Sequence, residues 1–95
     1  KTKEWEVEEY LKTEEDQRLF LKAAFEEAGD DAAYIAQTIG AVARARGMTA
    51  IAKETGLARK ALYRSFSDKG NPSLNTLLKV GQALGFRLTF QATQI

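Results

Sequence analysis

Apolar and polar positions along this chain follow two rhythms, one of two residues and one of three to four, and each predicts its own kind of element. Over residues 5–10, Trp5 and Val7 stand against Glu4, Glu6 and Glu8, the period of a short half-buried strand. Thr13 then precedes Glu14, Glu15 and Asp16, an N-cap followed by acids where the helix dipole favours them. Leu19, Phe20, Ala23 and Ala24 recur at helical spacing before Gly29, which predicts a helix over residues 14–28. Asp30 and Asp31 offer the cap of a second helix with Ile35, Ile39, Val42 and Ala43 on its apolar face, ending at Gly47.

From Met48 the predicted elements become short and close together. Thr49 is the expected cap of a helix carrying Ile51 and Ala52, Gly56 breaks it, and a further helix carries Leu62 and Phe66. A polar loop of Ser67, Asp68, Lys69, Gly70, Asn71 and Pro72 leads to Ser73, the cap of a helix presenting Leu74, Leu77, Leu78 and Leu84 before Gly85. Phe86, Leu88 and Phe90 then alternate with Arg87, Thr89 and Gln91, predicting a strand over residues 86–92. A strand needs a partner, and the candidates are residues 5–10, a second copy of itself, or the sheet edge of another protein. The expected fold is therefore mainly α, with five helices, a short C-terminal strand and a candidate N-terminal strand.

With 95 residues the chain has room for one core, so a single domain is expected. Residues 1–13 form an arm or short strand, 14–47 two scaffold helices, 48–85 the short helices and the one after them, and 86–95 the terminal strand. Cysteine and histidine are both absent, which removes disulfides, thiolate nucleophiles, most zinc sites and imidazole acid/base chemistry. Carboxylates such as Glu14 and Glu15 lie on solvated helix faces with no second chemical partner in sequence, so neither an enzyme nor a cofactor is expected. No apolar run approaches the roughly 18 residues of a membrane span and no signal-peptide pattern opens the chain, so a cytoplasmic protein without membrane attachment is expected. Lys1 rather than Met comes first, which leaves room for a short segment ahead of it.

Charge changes this picture. The net charge of +1 divides at Asp31 into −6 before it, five bases against eleven acids, and +7 after it, nine bases against two acids. A basic portion joined to an acidic one suits a protein that holds a polyanion on one face and something else on another, although two solvated charged surfaces would look the same.

Residues 48–66 give the basic portion a use. A small side chain at Ala52 lets two helices cross closely, Gly56 permits a tight turn, and Leu57 and Leu62 anchor the second helix on the core. Arg59, Lys60, Tyr63 and Arg64 then point outward, as in a helix-turn-helix whose second helix enters the major groove. Arg59 and Lys60 are the first candidates for donating to guanine O6 and N7. Tyr63 suits a thymine methyl or a phosphate, and Arg64 either task. Thr49, Lys53, Lys69, Asn71 and Ser73 are spaced as backbone clamps, with Thr49 and Ser73 at helix starts whose N–H groups attract phosphate. Each has a plainer reading: Thr49 and Ser73 as caps alone, and Lys53, Lys69 and Asn71 as solvated surface or turn residues.

The order Met48-Thr49, Ile51-Ala52, Gly56-Leu57, then residues 70–80 (GNPSLNTLLKV) and Ala83-Leu84-Gly85, resembles the lambda-repressor-like helix-turn-helix of Xre-type regulators. More narrowly, Tyr10-Leu11-Lys12-Thr13, residues 26–31 (EEAGDD), Ile39-Gly40 and residues 56–63 (GLARKALY) resemble the addiction-module antidote proteins, HigA-like antitoxins, over residues 10–87. The resemblance implies a homodimer that represses its own operon on double-stranded operator DNA and neutralises a RelE/HigB-type ribonuclease toxin. Two positions depart from the broad repressor pattern. Ala58 stands where Ser or Thr usually caps the second helix, and Ser65 stands where an apolar anchor is common, leaving that contact to Phe66. Against a basic toxin the acidic N-terminal portion is a candidate contact, as is the terminal strand. A stand-alone phage-like repressor without a toxin, and an interaction module that has lost DNA binding, are the competing readings.

Overall fold

The computed structural model describes residues 11–67 and 69–93. Its described residues form five helices: α1 (Glu14–Ala28), α2 (Ala32–Arg46), α3 (Met48–Thr55), α4 (Arg59–Ser65) and α5 (Leu74–Ala83). None of them is long and apolar enough to cross a membrane.

The first two helices begin as their sequence directs. Thr13 has extended backbone and its hydroxyl accepts from the Asp16 N–H at 3.0 Å, while the Asp31 carboxylate accepts from the Tyr34 N–H at 3.2 Å. Of the two aspartates expected at that turn, Asp31 is the cap. α1 packs on α2, α2 packs on α3 and α5, and α3 packs on α4 and α5. Val42, Ile51, Leu62 and Val80, one from each of α2 to α5, are fully buried together with Leu21 of α1. Every helix thus contributes an apolar anchor to one shared core, whose burial is the main force holding the short elements.

One polar tie runs through this scaffold. Gln17 of α1 is only 4% exposed, so both ends of its amide need partners. Its Nε2 donates to the Leu11 carbonyl at 3.1 Å, and its Oε1 accepts from Arg46 Nε at 2.8 Å. Arg46 Nη1 also donates to the Ala83 carbonyl at the end of α5, at 3.2 Å. Arg46 therefore joins α1, α2 and α5, and one of the cations counted in the basic portion belongs to the scaffold.

Two sequence expectations change. Thr49 does not cap α3: the helix starts at Met48 directly from Gly47, which also ends α2, and no side chain caps it. Gly47 at φ 111 turns the chain so sharply between the two helices that Thr49 already lies inside the first turn. The strand expected over residues 86–92 is absent, and no strand occurs among the described residues. Alternation marks two faces but supplies no neighbour, and nothing in the described chain forms a ladder with this segment. Instead the Phe86 N–H donates to the Gly81 carbonyl at 2.8 Å and the Phe86 ring meets Phe25 edge-on at 5.8 Å, closing the segment against α5 and α1. Further along, Phe90 is 89% exposed, so the alternation does not bury it. The other expected strand, over residues 5–10, lies outside the described residues.

Candidate nucleic-acid interface

α3 and α4 are joined by a turn whose geometry is built from three side-chain and backbone choices. Gly56 sits in the left-handed region at φ 77 and ψ 9, where a Cβ is disfavoured, and its N–H donates to the Ala52 carbonyl at 2.9 Å. The Thr55 hydroxyl donates back to the Ile51 carbonyl at 2.7 Å and accepts from the Leu57 N–H at 3.2 Å. Thr55 thus fastens both sides of the turn, a role that sequence reasoning missed although a hydroxyl just before a helix-ending glycine is the available signal.

Beyond the turn, α4 has no side-chain cap because Ala58 has none to offer. The helix is held instead by Leu62, 1% exposed, and by Phe66 at its end, 5% exposed, with Leu57 packed at the edge of the same core. Ser65 is half-buried, and Phe66 makes the apolar contact. With these anchors turned inward, Arg59, Lys60, Tyr63 and Arg64 are all exposed.

Arg59 is more constrained than exposure alone implies. Its Nη1 donates to Thr49 Oγ1 on α3 at 2.9 Å, and its guanidinium carbon lies 5.9 Å from the centre of the Tyr63 ring, one turn further along α4. Thr49, Arg59 and Tyr63 therefore form one connected group across the two helices. Lys53 is exposed one turn beyond Thr49 on α3.

The loop after α4 is drawn back onto that helix. Ser67 Oγ donates to the Arg64 carbonyl at 2.8 Å, and the Gly70 N–H donates to the Ser67 carbonyl at 2.9 Å. A Cβ on Gly70 would lie 2.3 Å from the carbonyl oxygens of both Arg64 and Ser65, so only glycine fits. This close approach holds Lys69 and Asn71, both exposed, beside the C-terminal end of α4. Ser73 caps α5: its hydroxyl accepts from the Thr76 N–H at 3.1 Å and donates to Thr76 Oγ1 at 3.1 Å.

The geometry thus defines a helical protein that presents a cationic, aromatic-bearing helix positioned by a fixed turn. The chain belongs to the family described as a probable addiction module antidote protein, which matches residues 1–92. An uncharacterized protein of Haemophilus influenzae (strain ATCC 51907 / DSM 11121 / KW20 / Rd) is 39% identical over 92 residues, covering 97% of this chain and 91% of that protein. No solved structure matches the chain. An antidote implies a toxin as its partner.

Proposed function

We propose that the chain is the antitoxin of a type II toxin-antitoxin pair that binds operator DNA through α3 and α4, represses its own operon and neutralises a RelE/HigB-type ribonuclease. The observation that carries the DNA reading is the outward set Arg59, Lys60, Tyr63 and Arg64 on one short helix, with Arg59 already tied to Thr49. In this reading α3 and α4 are a lambda-repressor-like helix-turn-helix, and α4 lies in the major groove. Arg59 and Lys60 read base edges, Tyr63 and Arg64 serve bases or phosphates, and Lys53, Lys69 and Asn71 hold the backbone on either side. A homodimer would place two such helices on half-sites about 10 bp apart or a multiple of that.

Membership of an antidote family favours the antitoxin over a stand-alone repressor. The experiment is co-expression with the neighbouring reading frame, followed by co-purification and a gel shift of the shared promoter. The expected outcome is a stable complex and a specific shift, and an Arg59→Ala/Lys60→Ala variant that keeps the complex but loses the shift. Removing a side chain that bonds a base edge bidentately should cost about 1 to 3 kcal/mol of binding. A double variant that retards the promoter as strongly as the unaltered protein would remove α4 from DNA reading.

A further inference from the structure

We infer that Thr49 is a positioning residue, holding the Arg59 guanidinium in its base-reading orientation, and is not itself a ligand for phosphate; this rests on the reading of α4 as the DNA-reading helix. An exposed arginine loses rotamer freedom when it is fixed by a ligand. Here two groups fix it beforehand from different directions. Thr49 Oγ1 accepts from Nη1 at 2.9 Å from the start of α3, and the Tyr63 ring lies 5.9 Å beneath the guanidinium carbon from α4 itself.

The inventory of donors makes this arrangement compatible with recognition. A guanidinium has five N–H groups, and Thr49 takes one, so enough remain for the two parallel bonds that a guanine edge accepts. The link also crosses between helices, joining the second residue of α3 to the first of α4. Arg59 is therefore oriented relative to α3 as well as to its own uncapped helix. A valine at 49 keeps the branched shape and a similar helix propensity while removing the acceptor. A serine keeps the acceptor.

The test measures binding of a labelled duplex, covering the region immediately upstream of this reading frame, and of its single-base variants, over a range of salt concentrations. The proteins are the full chain, Thr49→Val, Thr49→Ser, Arg59→Ala and the Thr49→Val/Arg59→Ala combination. Thr49→Val is expected to lose about fivefold in affinity for the natural duplex, and nothing on the variant whose Arg59-read base is replaced. Its salt slope should stay unchanged, Thr49→Ser should restore binding, and Thr49→Val should add nothing once Arg59 is alanine. A uniform loss on every duplex that persists in the Arg59→Ala background would make Thr49 a phosphate contact and overturn the inference. Thr49→Val binding as tightly as the unaltered chain, while Arg59→Ala still loses discrimination, would also overturn it and leave the DNA reading standing. If the unaltered chain distinguishes none of the duplexes, the DNA reading itself fails, and the inference with it.

Discussion

Two pairs of helices in this protein begin in opposite ways. α1 and α2 are 15 residues each and start from side-chain caps, Thr13 and Asp31, while α3 and α4 have eight and seven residues and no side-chain cap. The first pair is tied internally by the Gln17–Arg46 link. The second pair is fixed by the Thr55–Gly56 turn, by Leu62 and Phe66 beneath it, and by the Thr49–Arg59 contact above. Helices this short are not stable alone. They exist because the scaffold supplies a core for them, which leaves their outer surface to be chosen for charge instead of for stability.

The strongest test of that division is to remove an anchor that joins the second pair to the shared core. Leu62→Ala would delete a side chain 1% exposed from the centre of the core, at a cost of about 2 to 5 kcal/mol in chemical or thermal unfolding. If α4 depends on the scaffold, its amides should lose hydrogen-exchange protection well before those of α1. Equal loss in both helices would mean that the two regions unfold as one.

A smaller effect probes the scaffold's own tie. Arg46→Met would keep much of the side-chain volume but leave the buried Gln17 Oε1 and the Ala83 carbonyl without their donor. An unsatisfied buried acceptor costs about 1 to 3 kcal/mol, and the loss should appear in stability with DNA binding per folded molecule unchanged. A variant that folds normally but binds DNA more weakly would place Arg46 with the surface cations instead.

How much of this division is legible in the sequence depends on whether the decisive partner is local. Thr13, Asp31 and Ser73 act on N–H groups three residues away, so their helices follow from the sequence nearly residue by residue. Arg46 reaches Gln17 across 29 positions and Ala83 across 37, and nothing local separates it from a solvent-facing cation. The partner of Thr49 is hidden for the same reason, since its hydroxyl serves an arginine ten residues on. Gly70 reads as a turn residue, whereas its necessity comes from two carbonyls at the end of the preceding helix. The alternation after Gly85 is real as a pattern, but pairing is a property of two segments and cannot be read from one. On the candidate interface, the exposed cations of α4 follow from the inward spacing of Leu57 and Leu62, and the linkage among Thr49, Arg59 and Tyr63 does not.

The smallest effect expected is a gain. Ala58 already has the backbone of a cap residue, at φ −68 and ψ 134, and lacks only an acceptor for the N–H groups two or three positions on. Ala58→Ser should therefore stabilise the protein by about 0.5 to 1 kcal/mol, while the reciprocal Asp31→Ala at the cap of α2 should destabilise it by a similar amount. Thermal unfolding of the two variants measures both. If Ala58→Ser gives no gain, α4 is already held as firmly as a capped helix, and its lack of a cap is no weakness. If it gives the full gain and also weakens promoter binding, then α4 must be free to adjust its tilt on the DNA, and the missing cap is what leaves it that freedom.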